Sequence, residues 1–141
     1  SCLRILDPET GEIRAQNTRP ELVFTCLAWA YDNMRLFAGT MDGKITVWNM
    51  KLESPLETVS AHNGRVNCLA VSADGTRLAS GGEDNRAIIW QSVPLKQVAR
   101  ASGYKTSVRA VAFSPHPKNI LYFSTQNGLA VRWDMDPASN N

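Results

Sequence analysis

Helical periodicity is missing from this chain: nowhere do apolar residues recur at three- and four-residue spacing over a useful length. No apolar run approaches the ~18 residues needed to span a membrane, and no basic-then-apolar leader is present. Charge of one sign is missing too. Fifteen Lys and Arg against thirteen Asp and Glu leave +2, too little to argue for nucleic acid by itself. Cysteine is scarce and odd in number, at three. Cys26 and Cys68 stand at matching places in successive stretches, where a third stretch has Ala110, so the position reads as small and buried rather than as a disulfide or metal ligand. That pattern suits a reducing compartment, and the default expectation is an intracellular protein, cytoplasmic or nuclear.

Ligand-forming spacings are equally wanting. His116 sits between prolines with no second His or Cys at zinc-ligand spacing, and Asp42, Asp74 and Asp84 belong to separate turns. Gly39, Gly81 and Gly82 lack both the Gly-x-Gly-x-x-Gly spacing and a following helix, which removes a nucleotide cradle. No cofactor and no metal are expected.

What is present is repetition. Leu36–Trp48, Leu78–Trp90 and Leu121–Trp133 are versions of one object: a strand, a sharp turn and a second strand ending on tryptophan. Their tryptophans lie 42 and 43 residues apart, and the turn residues Asp42, Asp84 and Asn127 keep those spacings. A period near 42 holding several short strands is the signature of a propeller blade.

Residues 1–17 read as the outer two strands of a preceding blade, since Leu3–Asp7 aligns on Ile45–Asn49. Residues 18–60 form the first full repeat, 61–102 the second, and 103–141 a third that lacks its outer strand. The first repeat predicts strands over Phe24–Ala30, Arg35–Gly39, Lys44–Trp48 and Leu56–Val59, with Asp42-Gly43 a strong hairpin signal. Leu27, Trp29, Leu69, Val71, Val111 and Phe113 mark one side of the three first strands, and Ala28, Ala70 and Ala112 the other, a pattern that predicts burial on both faces. Small residues there let neighbouring sheets approach closely, as radially packed blades require. Natural domains seldom begin in mid-sheet, because backbone groups are left unpaired. The chain is therefore expected to be a segment of a longer polypeptide, completed by further blades or by a second copy closing a ring.

Ser80, His62 and Asp84 are residue types suited to nucleophilic hydrolysis. Against that stands the place of Asp84 in a tight turn, where backbone N–H groups claim its carboxylate. His62 can bridge that carboxylate to the Ser80 hydroxyl, with the Trp90 indole N–H donating at the far end. A chain of buried polar groups so fully used makes a structural clamp and leaves no free nucleophile. A Gly-x-Ser-x-Gly elbow is also lacking.

At these residues the chain resembles the WD-repeat (WD40) β-propeller family. The family's pattern is Gly-His before the first strand, then a serine, a turn aspartate and Trp-Asp. His62, Ser80, Asp84 and Trp90 match it, with Ala61 for the glycine and Gln91 for the final aspartate. In the third repeat Trp133-Asp134 completes the pair, but Tyr104 replaces the histidine and Phe123 the serine; the first has Pro20 and Ala38 in those places. The resemblance implies an all-β WD40-type propeller segment, three blades plus the outer half of a preceding one, not a closed ring on its own. It also implies a non-catalytic scaffold that binds protein or peptide partners on its top face. Contact positions carried over from the family fall on Val23, Thr25 and Met41, then Arg65, Asn67 and Glu83, then Ser107, Arg109 and Gln126. An apolar corner beside two arginines would suit a peptide with one apolar and one acidic anchor. The alternative is an RNA-associated subunit using Arg65, Lys105, Arg109 and Arg100 as a basic rim, although no aromatic platform lies between them.

Overall fold

The computed structural model of the chain describes residues 1–115 and 120–135. Thirteen strands and no helix occur among them. A two-stranded sheet of β1 (Cys2–Leu6) and β2 (Ile13–Thr18) is followed by a four-stranded one of β3 (Phe24–Trp29), β4 (Arg35–Thr40), β5 (Lys44–Asn49) and β6 (Pro55–Ser60). The next sheet holds β7 (Val66–Val71), β8 (Arg77–Gly82), β9 (Ala87–Ser92) and β10 (Leu95–Ala101). The last described sheet holds β11 (Val108–Phe113), β12 (Ile120–Thr125) and β13 (Ala130–Asp134). Each is an antiparallel meander in chain order, as short alternating strands joined by Asp-, Asn- and Gly-containing turns dictate. The 115–119 turn, apart from Pro115, and His116 lie outside the described residues, as does the chain after Met135.

The sheets pack face to face as blades of an open arc. Between the first and second full blades, Phe37, Ile45 and Val47 meet Val66, Leu78, Ile88 and Trp90, all buried. Between the second and third, Ala79, Ala87 and Ile89 meet Val108, Leu121 and Phe123. Leu3 from the half blade joins Leu36, Trp48 and Leu52 in a third apolar layer. The inner strands stand close enough that side-chain volume decides the junction. A Cβ on Gly81 would lie 2.5 Å from a Val108 methyl and 2.7 Å from Cys68 Sγ, so glycine is needed where blade meets blade.

The expected burial of Leu27 and Trp29 is not met: they are 53% and 46% exposed. Their counterparts Leu69 and Val71 pack into the layer of the preceding junction, and Val111 and Phe113 do the same one blade on. Among the described residues the sheet before β3 holds β1 and β2 alone, which leaves Leu27 and Trp29 uncovered. At the other end, the free face of the third blade carries an apolar groove of about 360 Å³ lined by Ala110, Val111, Tyr122 and Val131 among others.

All three inner strands carry a register shift at one place: Phe24/Cys26, Val66/Cys68 and Val108/Ala110. The bulged residues are Thr25, Asn67 and Arg109. A bulge re-aims a side chain, and here it turns all three out of their own ladders.

Candidate functional site

The second blade holds a buried chain of four side chains. The loop before β7 is pinned to the preceding blade, where the Gly43 carbonyl accepts from the amides of both Ala61 and His62 at 2.9 Å. This fixes the imidazole, whose side chain is fully buried. Trp90 Nε1–H donates to Ser80 Oγ at 2.9 Å, and Ser80 Oγ lies 2.8 Å from His62 Nε2. His62 Nδ1 lies 2.8 Å from Asp84 Oδ1, and the other carboxylate oxygen accepts the Asn63 amide at 3.1 Å. One proton order satisfies every link and also places the Ser80 hydroxyl proton: indole to hydroxyl, hydroxyl to Nε2, Nδ1–H to carboxylate. It requires a neutral imidazole. Burial accordingly lowers the His62 pKa, with Asp84 opposing the shift.

Gly82 makes room for this arrangement. A Cβ there would stand 2.5 Å from His62 Cγ and 2.6 Å from Asp84 Oδ1. The other two blades lack the histidine and carry threonine at the matching position. Thr40 Oγ1 donates to Asp42 Oδ1 at 2.6 Å, and Thr125 Oγ1 to Asn127 Oδ1 at 2.5 Å. In the first blade the indole of Trp48 donates to Thr46 Oγ1 at 2.8 Å, two residues back on its own strand, where the second blade uses Ser80. In the third, Tyr104 and Phe123 meet edge to face with centroids 5.1 Å apart and planes at 87°, an apolar pair where the second blade has a His–Ser hydrogen bond. The residues that make these substitutions, Thr40, Thr46 and Thr125, were not singled out from sequence, and Gly82 was weighed only as part of a nucleotide cradle. For Thr40 and Thr125 the signal was there: a threonine two residues before the turn Asp or Asn in just those repeats without the histidine.

Six of the nine contact positions carried over from the family, Arg65, Asn67, Glu83, Ser107, Arg109 and Gln126, line one polar cleft of about 460 Å³. Lys105, Thr106 and Asn85 complete its walls, between the second and third blades. Val23 and Met41 are about half exposed, and Met41 N–H donates to the Val23 carbonyl. They do not join the cleft. Thr25 and Asn67 serve the blade junctions instead of standing free. Thr25 Oγ1 donates to the Val66 carbonyl at 2.5 Å, and Asn67 Nδ2 to the Val108 carbonyl at 2.9 Å, each crossing to the first residue of the next inner strand. Arg109 occupies the same bulge in the third blade and lines the cleft. Of the basic rim, Arg65, Lys105 and Arg109 come together here, and Arg100 lies apart in a shallower recess beside Tyr104 and Trp133.

Remaining candidates resolve locally. Arg132 pairs with Asp134, Nη2 to Oδ2 at 3.3 Å. Cys26 and Cys68 are free thiols, and burial pushes Cys68 up to about 12, which makes it a poor nucleophile. Among the described residues no group of three or more His, Cys, Asp or Glu could hold a metal ion, and no helix is long and apolar enough to cross a membrane.

Antiparallel four-stranded blades packed radially, with a Trp–Ser–His–Asp chain across one of them, define a β-propeller of the WD-repeat type. The family model "WD domain, G-beta repeat" matches residues 10–49 and 53–91, and the chain belongs to the WD40 family. Each match is offset from a blade by one strand, covering the outer strand of one sheet and the inner three of the next. Among solved structures, the chain is similar to one in the crystal structure of the Mitotic Checkpoint Complex, with a TM-score of 0.85 at 25% identity over 94% of this chain and 43% of that one. It is also similar in fold to U3-55K and to the RRP9 WD40 repeats, each with a TM-score of 0.77 at 24% identity over 84% of this chain and 38% or 37% of theirs. The chain thus spans less than half the length of these structures. No curated protein matches it by sequence.

Proposed function

We propose that the chain is a non-catalytic interaction module that binds a protein or peptide partner at the cleft between its second and third blades, within a larger assembly. One observation carries the reading: the cleft gathers Arg65, Arg109, Glu83 and Gln126 from two blades into a single polar recess. Arginine anchors of this kind are enriched at interface hot spots. Exposed Val23 and Met41, one blade away, supply an apolar contact for a longer ligand. Similarity to a chain of the Mitotic Checkpoint Complex agrees with a role inside a multi-protein assembly. Further blades of the same kind, or a second copy, would cover the apolar groove on the third blade. The unpaired thiols suit a reducing, intracellular setting.

The non-catalytic reading rests on the clamp's geometry. Ser80 is 0% exposed, accepts from the Trp90 indole and engages His62, so no substrate carbonyl can reach its hydroxyl. Random-peptide display against the chain tests the reading. Acidic peptides should be enriched and should lose binding to R65Q and R109Q, with a shallow dependence on salt. Enrichment of peptides indifferent to both substitutions would place the partner elsewhere.

A further inference from the structure

We propose that the cleft between the second and third blades is a seat for a phosphorylated side chain of the partner, a deepening that rests on the interaction-module reading above. The argument begins with charge. Arg65, Lys105 and Arg109 face Glu83 as the sole carboxylate among the nine lining residues, which leaves the cleft at +2. Among the described residues no carboxylate comes within ion-pair distance of those three cations, so their charge is not spent inside the fold. A single carboxylate would neutralise half the excess. A phosphomonoester, with about −1.5 to −2 charge at neutral pH, matches it.

Hydrogen-bonding capacity points the same way. Ser107 Oγ donates to Gln126 Oε1 at 3.0 Å, which occupies the amide oxygen and leaves the Gln126 NH₂ for a ligand. Asn67 is tied by its amide nitrogen to the Val108 carbonyl, and Thr106 is tied to Asn127. Glu83 itself is turned back on its own blade, where Oε2 accepts the Arg65 amide at 3.4 Å. Against the acceptors left on Glu83, Asn67 Oδ1 and the Asn85 amide, the cleft offers as donors two guanidinium forks, an ammonium and the Gln126 NH₂. Phosphate oxygens are acceptors only, and guanidinium binds them in two parallel hydrogen bonds. The inner-strand bulge completes the geometry, since it turns Arg109 out of its ladder toward the recess.

RNA would bring phosphates too, but as diesters carrying one charge each along a strand. Single-stranded RNA is read by stacking on aromatic side chains, and none of the nine lining residues is aromatic. One compact recess of about 460 Å³ suits one dianion better than a polymer backbone.

The test is a ¹⁵N–¹H correlation titration of the whole chain with four probes: an acetylated, amidated Gly-Gly-phosphoserine-Gly-Gly peptide, its glutamate and serine counterparts, and a ten-nucleotide oligo(U). The phosphopeptide should move the Arg65, Lys105 and Arg109 resonances and bind at least ~5-fold tighter than the glutamate peptide, with no saturable shift from the serine one. R65Q and R109Q should each weaken it roughly tenfold, a loss of about one charge-assisted contact. K51Q, on an exposed loop away from the cleft, should leave it unchanged. Equal affinity for glutamate would overturn the phosphate assignment, as would the absence of any shift at the three basic residues. Tighter binding of oligo(U) through the same residues would replace it with a nucleic-acid site. Display-selected peptides that bind whether or not phosphorylated, and despite R65Q, would leave the interaction module standing and remove this seat. Failure of every peptide to bind removes both.

Discussion

In the second blade the turn carboxylate is held by a histidine that arrives from outside the sheet, whereas in the first it is held by a threonine two residues earlier on the same strand. The first arrangement ties the loop before β7, strands β8 and β9 and the turn between them into one hydrogen-bonded line through the blade. The second closes a local loop. Thr40 Oγ1 donates to Asp42 Oδ1 and also accepts the Lys44 amide at 2.9 Å, while Lys44 Nζ sits 2.6 Å from the other carboxylate oxygen. The third blade adopts the local solution at its turn and fills the centre with aromatic rings. Neighbouring blades can thus share a backbone while differing in what a single substitution removes. Long-range lines fail as a unit, and local ones fail in part.

The sharpest way to break the comparison is to force the second blade's chemistry on the third. Phe123→Ser recreates the Ser80 position without its histidine. It removes a ring that is 3% exposed and packed on Tyr104, and leaves a hydroxyl opposite an aromatic edge. The loss should be about 4 kcal/mol, the scale of deleting a buried phenylalanine. A loss of under about 1 kcal/mol from urea unfolding would mean the apolar pair contributes little.

Next comes the pair of turn acids. Asp84→Ala strands His62 Nδ1 and the Asn63 amide, and should cost about 3 kcal/mol. Asp42→Ala releases a half-exposed carboxylate with one lysine partner and one threonine, and should cost about 1 kcal/mol. Equal urea midpoints for the two variants would erase the distinction between long-range and local. An intermediate effect is expected from Gly82→Thr, which moves the second blade toward the first. The new Cβ meets the imidazole, for a loss of about 2 kcal/mol. Adding His62→Ala should recover part of that loss, because the threonine can then reach Asp84 as Thr40 reaches Asp42. A double variant less stable than Gly82→Thr alone would show that the two designs are not interchangeable.

Much of this was legible before any coordinates. The strands of the first full blade end within one residue of where alternation and turn chemistry put them, because each hairpin is bounded by Asp, Asn or Gly at a regular interval. Repetition also exposed Asp84 and Trp90, whose counterparts recur at the same spacing, while His62 and Ser80 stood out as types that the other repeats lack at those places. The substitutes did not stand out. Thr40 and Thr46 are ordinary strand residues, and only three-dimensional contact with Asp42 and Trp48 gives them a role. The inner-strand bulge was invisible for another reason: inserting one residue leaves the 42-residue spacing intact, so no count reveals that Thr25 and Asn67 turn toward the next blade. Leu27 and Trp29 were misjudged because burial depends on a neighbouring sheet, and sequence alternation describes only their own.

The smallest expected difference between the blades is their response to acid. His62 carries a lowered pKa in the folded chain because burial disfavours the imidazolium, while an unfolded imidazole titrates near 6.5. The unfolded state therefore binds the proton first, and stability must fall as pH drops below about 6.5, until the folded-state pKa is passed. A single group limits the slope to about 1.4 kcal/mol per pH unit. The first blade has no such group. Asp42, whose carboxylate is held low chiefly by Lys44 and then by Thr40, gives stability that is complete above the ordinary carboxylate range and is lost only as pH falls through its own lower value. The Asp42 window lies below the ordinary carboxylate range, so urea midpoints between pH 7 and pH 5 isolate the second blade. The chain should lose stability across that interval, D42A should lose it in parallel, and H62Q should be flatter. His116 is common to all three proteins and cancels in the comparison. Parallel slopes for the parent chain and H62Q would mean that folding leaves the titration of His62 unshifted; a parent chain that gains stability relative to H62Q as pH falls would mean an imidazolium in the fold, with the hydrogen bond between Ser80 and His62 reversed.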